Sequence, residues 1–154
     1  MVKIEQASLA DDPKIFFALI DKLLAELTGE SGEFTAIDTE RVYNAMMESA
    51  DKFTIFLAQN EENKAVGVIT LVESFAIYAG GHYDIINELY VMPEYRSKGV
   101  GKQLLVAVKN IAQKRGWMRI DVTAPEDKKW ERTVQFYERE GFVFTGPKMR
   151  YLLP

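Results

Sequence analysis

Three basic side chains, Arg96, Lys98 and Lys102, are interleaved with Gly99 and Gly101 in the stretch Leu89-Tyr90-Val91-Met92-Pro93-Glu94-Tyr95-Arg96-Ser97-Lys98-Gly99-Val100-Gly101-Lys102. The stretch reads as an apolar strand, a short basic turn and a helix starting at or near Gly99. A helix start presents backbone N–H groups without intrahelical partners, and its dipole adds partial positive charge. Together these make a site for phosphate or pyrophosphate. The two glycines remove Cβ atoms that would keep a ligand from the backbone. The chemistry to expect is therefore the docking of an anionic group.

The spacing excludes two common phosphate-binding patterns. No Gly-Lys-Ser/Thr follows a first glycine at the four-residue spacing of a Walker-type loop. A dinucleotide fingerprint needs a third glycine, and Leu104 stands there. What remains is Arg96-x-x-Gly99-x-Gly101. On these six residues alone, an ordinary strand-to-helix turn with solvated lysines fits equally well.

A second stretch, Thr133-Val134-Gln135-Phe136-Tyr137-Glu138-Arg139-Glu140-Gly141-Phe142, reads as a late helix ending in F-Y-x-x-x-G-F. Together with Val91 to Gly101, it resembles the GNAT superfamily of acyl-CoA-dependent N-acyltransferases, in particular small bacterial single-domain members. The resemblance is clear from about Asn87 to the C-terminus. Over the first half it rests on a compatible order of elements.

The resemblance implies direct attack of a primary amine on the thioester of acetyl-CoA. The amine must lose a proton, the oxyanion needs donors and the thiolate must leave. By resemblance, Tyr137 is the group that protonates or hydrogen-bonds the departing sulfur. Its reference pKa of about 10 keeps it protonated at neutral pH. A packed core tyrosine beside Phe136 is the competing reading. Glu88 takes the place where many members carry a glutamate on the fourth strand, as general base, with a strand-edge ion pair as the alternative. A backbone N–H of the Val91–Met92 region would serve the oxyanion. Arg96, Ser97, Lys98, Gly99, Val100, Gly101 and Lys102 would hold the cofactor, with Trp130 and Thr133 contributing from the late helix. Trp130 stands where many members have an asparagine seven residues before the tyrosine, so the usual polar contact to the pantetheine is in question. No metal is implied. His82, next to a glycine turn, reads as surface decoration. Tyr78, Tyr83 and Phe34 suit either an acceptor site or a core.

The elements that must position these groups follow from the pattern of apolar residues. A strand spans Val2 to Ala7, and Asp11-Asp12-Pro13 opens a helix carrying Phe16, Leu19, Ile20, Leu23, Leu24 and Leu27 on one side. Gly29 to Ile37, with Glu30 and Glu33, is a loop. Asp38 or Thr39 caps a helix from Glu40 to Ala50. Strands span Phe53 to Gln59, Ala65 to Ser74 and Tyr83 to Val91. A helix from Gly99 to Arg115 precedes a strand from Met118 to Thr123 and a helix from Lys129 to Glu140. Phe142 to Thr145 and Met149 to Leu153 read as closing strands. Runs of strands followed by strand–helix alternation predict an α+β fold, a mixed, mostly antiparallel sheet with helices on both faces in three α/β/α layers. The order matches GNAT topology, in which the fourth and fifth strands splay to admit pantetheine, aided by a bulge.

Composition frames the rest. The 154 residues suit one domain, 47% hydrophobic, and cysteine is absent, which excludes a thiolate nucleophile or thiolate metal ligand. The run Ile15 to Ile20 is too short to span a bilayer, and Met1 to Glu5 lacks signal-peptide order, so a cytoplasmic protein is expected. A net charge of −4 does not suit a nucleic-acid binder. The charge is unevenly spread, −6 over residues 1–50 and +2 over the remainder. The basic excess lies with the polyanion site, and the acidic half would favour a small cationic amine such as a polyamine or aminosugar, unless its carboxylates only decorate exposed helices. A peptide or protein amine is the second acceptor class, and a non-catalytic acyl-CoA-binding module the alternative of another kind. The alternating Met149 to Leu153 segment could support a homodimer.

Overall fold

The computed structural model describes residues 1–10, 13–28, 38–124 and 128–154. Asp11-Asp12 and the loop with Glu30, Glu33 and Phe34 lie outside them. In chain order the elements are β1 (Lys3–Ala7), α1 (Pro13–Thr28), α2 (Thr39–Glu48), β2 (Phe53–Gln59), β3 (Ala65–Ala76), β4 (Gly81–Val91), α3 (Val100–Lys114), β5 (Ile120–Val122) and α4 (Glu131–Arg139). The chain forms two compact units, Met1–Asp121 and Val122–Pro154.

The five strands lie in sequence order, and β1–β2, β2–β3 and β3–β4 are antiparallel. Alternation of side chains across each strand divides the apolar residues between two faces. On one face Ile55, Leu57, Val68 and Tyr90 pack with Phe16 and Leu19 of α1. On the other lies α3, whose buried residues are Val100, Leu104, Leu105, Val108 and Ala112. Each Leu or Val fully buried in this way is worth roughly 1.5–3 kcal/mol. Gly67 of β3 permits the close contact, since a Cβ there would meet Ala58 Cβ at 3.3 Å, the Tyr90 carbonyl oxygen at 3.3 Å and Leu104 Cδ1 at 3.4 Å. This is the α+β architecture expected, with helices on both sheet faces. Among the described residues no helix is long and apolar enough to cross a membrane.

Local signals act as their chemistry dictates. Asp38, not Thr39, caps α2, its carboxylate accepting from Arg41 N at 3.1 Å. The Tyr43 hydroxyl donates to the Leu9 carbonyl at 2.9 Å and ties α2 to the chain after β1. In the β2–β3 turn the Asn60 side-chain oxygen accepts from Glu62 N at 3.0 Å and Lys64 N at 2.9 Å.

Two expected strands do not form. Phe142 to Thr145 and Met149 to Leu153 carry no strand pairing, and Val143, Met149, Tyr151 and Leu153 are all more than 80% exposed. A short two-stranded hairpin needs a covered apolar face to persist, and these side chains have none. β5 is likewise half its expected length.

One buried group stands apart from the apolar core. Asp84 of β4 is 1% exposed, and among the described residues neither carboxylate oxygen has a hydrogen-bond partner. Arg115 Nη1 is 3.8 Å away, while its Nη2 donates to Thr54 at 2.9 Å. Burial pushes the carboxyl up to about 6, with Arg115 opposing and Glu73 adding to the rise. A carboxyl whose folded pKa is raised stabilises the fold when protonated. That contribution is complete below the unfolded value near 3.8 and is lost as pH rises through about 6. Asp84→Asn should therefore gain on the wild type between pH 4 and 7, by up to about 3 kcal/mol. Urea melts at several pH values read this directly, and a constant difference between the two proteins contradicts it.

Candidate active site

β4 delivers the candidate base. Thr70 of β3 pairs with Glu88, but the next pair is Leu71 with Ile86, so Asn87 is an extra residue bulged out of β4. A bulge re-aims the side chains beside it and bends its strand. Glu88 has the strand parity of Tyr90, which places it on the α1 face of the sheet. Its carboxylate accepts from the Thr70 hydroxyl, and its own N–H donates to the same hydroxyl oxygen at 3.1 Å. Burial raises the Glu88 pKa above the usual carboxylate range, and the Thr70 bond pulls partly back. A raised pKa makes the carboxylate a better proton acceptor.

Past the bulge the strand edge ends in an ordered turn. Met92 N donates to the Val66 carbonyl at 2.9 Å, so this N–H is committed to β3. The Val91 N–H, one residue back, points to the opposite edge by the alternation of antiparallel pairing. β4 has eleven residues and β5 three, so β5 leaves most of that edge uncovered. Of the two N–H groups suggested by sequence, that of Met92 is engaged with β3 and that of Val91 faces away from it.

A 3₁₀ turn, Pro93–Tyr95, follows, held by Tyr95 N to the Met92 carbonyl at 2.8 Å and by Asn60 Nδ2 to the Tyr95 hydroxyl at 3.1 Å. Ser97 (φ 60) and Gly99 (φ 81) are both left-handed. Gly99 caps α3 without any side-chain hydrogen bond to the helix N–H groups, and a Cβ on it would meet nothing within 4 Å. The helix start is therefore open, and its glycine answers to backbone conformation. Ser97, Lys98, Gly99 and Lys102 are exposed around it, Gly101 is half-buried, and Val100 is buried as the anchor of α3. A helix start without a side-chain cap, with exposed lysines beside it in the chain, has the chemistry to accept a pyrophosphate. Lys98 also approaches the Tyr95 ring, 5.7 Å from its centroid. A surface pocket of about 440 Å³ beside this turn is lined by Asn60, Lys64, Val66, Met92, Tyr95 and Lys98 among others.

Arg96 differs from the other basic residues of the loop. Its Nε donates to the Val91 carbonyl at 2.8 Å and its Nη2 to Glu26 of α1 at 2.6 Å, with the guanidinium 5.4 Å from the Tyr90 ring centroid. Its side chain is engaged with the end of β4.

The second unit carries the remaining candidates. Trp130 precedes α4, and Thr133 and Tyr137 follow at spacings of three and four, which aligns all three along one side of the helix. Trp130 and Thr133 are half-buried and Tyr137 is buried. The F-Y-x-x-x-G-F pattern has a structural meaning here. Gly141 is left-handed (φ 97), its N–H donates to the Glu138 carbonyl at 3.1 Å, and Phe142 N donates to the Tyr137 carbonyl at 3.0 Å. This is a Schellman cap, completed by contact of the Phe142 and Tyr137 rings at 5.4 Å. Burial raises the Tyr137 phenol above its usual range. The ring of Tyr137 thus finishes the helix.

Other sequence candidates sort clearly. Tyr83 is buried and Tyr78 is 75% exposed. His82 pairs with Glu73 at 2.6 Å and stacks on Trp117 at 5.9 Å, in a surface cluster. Thr70 and Glu26 were missed by sequence reasoning. Neither belongs to a motif, and only strand register or a contact across seventy residues reveals them.

A bulged fourth strand runs into a glycine-capped helix start on an α+β sheet. A profile of the acetyltransferase (GNAT) domain matches residues 51–144, and the chain belongs to this family of acetyltransferases. It is 27% identical over 89 residues to the uncharacterised N-acetyltransferase YhfO of Bacillus subtilis (strain 168), a match spanning 58% of each protein. Among solved structures it is similar to the aminoglycoside acetyltransferase meta-AAC0020 from an uncultured soil metagenomic sample, seen in complex with sisomicin. The identity is 25% and the TM-score 0.80, with 99% of this chain and 97% of that one covered. Glucosamine-6-phosphate N-acetyltransferase from Arabidopsis thaliana shares the fold at 20% identity and a TM-score of 0.72, over 100% and 99% of the two chains.

Proposed function

We propose that this acetyltransferase takes an acetyl group from acetyl-CoA and transfers it directly to a primary amine of a small polycationic acceptor, an amino sugar of the aminoglycoside kind. The observation that supports the cofactor half is the start of α3 at Gly99, without a side-chain cap and flanked in the chain by the exposed Lys98 and Lys102. Acetyl-CoA supplies an activated thioester. The chain's own groups do the rest: Glu88 accepts the amine proton, directly or through a water. The Val91 N–H donates to the acyl oxygen, and the Tyr137 hydroxyl donates to the departing sulfur. Trp130 and Thr133, which the family resemblance assigns to the cofactor, lie on the same side of α4 as Tyr137. No cysteine exists to carry an acyl intermediate.

The acceptor class is supported by the likeness to an aminoglycoside acetyltransferase and by the charge of −6 over residues 1–50. A single catalytic domain in the cytoplasm completes the reading. A homodimer draws support from the exposed apolar residues of 149–153. CoA-thiol release should be measured across polyamines, aminosugars, amino acids and short peptides. Release stimulated by aminosugars is the expected result. Release with peptides alone would reassign the acceptor, and CoA binding without release for any amine would point to a binding module.

A further inference from the structure

We propose that Arg96 and Glu26 form a positioning clamp that serves acyl transfer, with the guanidinium acting on the Val91 peptide and not on the cofactor phosphates. The inference rests on the functional reading above and assigns its fold-motif arginine a different task. The Val91–Met92 peptide is held at both ends. Its N–H donates to the Val66 carbonyl at 2.9 Å, and its carbonyl accepts from Arg96 Nε at 2.8 Å. The second nitrogen of the same fork, Nη2, is occupied by Glu26 Oε1 at 2.6 Å. Tyr90 lies under the guanidinium at 5.4 Å. Glu26 and Arg96 also act in opposite senses on the buried Tyr90 phenol, Glu26 raising and Arg96 lowering its pKa.

The consequence is directional. Past the Asn87 bulge, β4 stays in register with β3 from Glu88 to Val91, and the Val91 N–H and carbonyl both face the opposite edge, where β5 has only three residues. Without a bond to its carbonyl on that edge, Val91 would be free to tilt. Arg96 removes that freedom, and Glu26 fixes Arg96 by tying it to α1. α1 packs on the sheet face that carries Glu88, so one ion pair joins the donor to the acyl oxygen with the wall that holds the base. A fork is needed, because two acceptors in different directions are met at once. A lysine ammonium on a flexible stem does not reproduce this. The pair is about one-third exposed at Glu26 and 44% exposed at Arg96, so its contribution to global stability is small and its loss leaves the protein folded.

The test uses the full chain as wild type, Glu26→Gln, Arg96→Gln, Arg96→Lys and the Glu26→Gln/Arg96→Gln double variant. Steady-state kcat, CoA affinity by calorimetry and the exchange rate of the Met92 amide are measured for each. The clamp predicts a fall in kcat of about five- to twentyfold in every variant, CoA affinity within about twofold of wild type, and faster Met92 exchange. It also predicts that the double variant is no worse than Arg96→Gln, since coupled partners are not additive. An arginine that binds phosphate gives the reverse: weaker CoA binding with kcat kept, and tighter binding in Glu26→Gln as the guanidinium is released. That pattern, or unaltered Met92 exchange, overturns the clamp. Absence of turnover in the wild type would instead contradict the acetyltransfer reading, and Met92 exchange would still decide whether the clamp exists.

Discussion

Tyr137→Phe is expected to lower turnover about 10²-fold or more, with CoA affinity and thermal stability close to wild type. The substitution isolates one atom. Phenylalanine keeps the ring that meets Phe142 at 5.4 Å and therefore keeps the cap that ends α4. A core tyrosine valued only for packing would show no such loss. Burial raises the phenol above its usual range, so it stays protonated through neutral and mildly alkaline pH. Full proton transfer to a thiolate, whose conjugate acid has a pKa near 8.5, is then uphill, and a hydrogen bond to the departing sulfur is the favourable role. Accordingly the wild-type enzyme should show no alkaline fall in kcat due to Tyr137 below about pH 10. A pH–rate profile and calorimetry with CoA check both parts. Turnover equal to wild type in the phenylalanine variant would remove Tyr137 from the chemistry.

Glu88→Gln should lower kcat/KM for the acceptor at neutral pH by about 10–10²-fold and flatten its acidic limb. The sign follows from the shift. A base works only when ionised, and burial raises the Glu88 pKa, so activity should rise with pH through a value above the usual glutamate range. Glutamine keeps the shape and can still accept from Thr70, so the change reads the charge. An acidic limb that persists unaltered in Glu88→Gln would assign it to another group.

Much of this was legible from residues alone, for identifiable reasons. α3 announced itself by apolar spacing, and Gly99 by its place before the helix, because both are local properties of the chain. A bulge was implied by the resemblance alone, and its place at Asn87 was not legible: it is a mismatch between two strands, and no residue of β4 encodes it without β3. Arg96 shows the same limit more sharply. Its charge next to Gly99 reads as phosphate binding, yet its guanidinium is taken by Glu26, seventy residues earlier, and by the Val91 carbonyl. The closing strands were over-read from alternation, since alternation describes a face and does not supply the surface to cover it. Tyr137 was singled out through its motif, and the motif's glycine and last phenylalanine belong to the helix cap.

The most direct test is to incubate the protein with acetyl-CoA and an aminoglycoside such as sisomicin and to follow both products, free CoA thiol and the mass of the acceptor. Equal amounts of CoA and of acceptor carrying one amide-linked acetyl group are the predicted result. Free CoA produced without acetylated amine, or no reaction with any amine by folded protein that binds CoA, would contradict direct transfer.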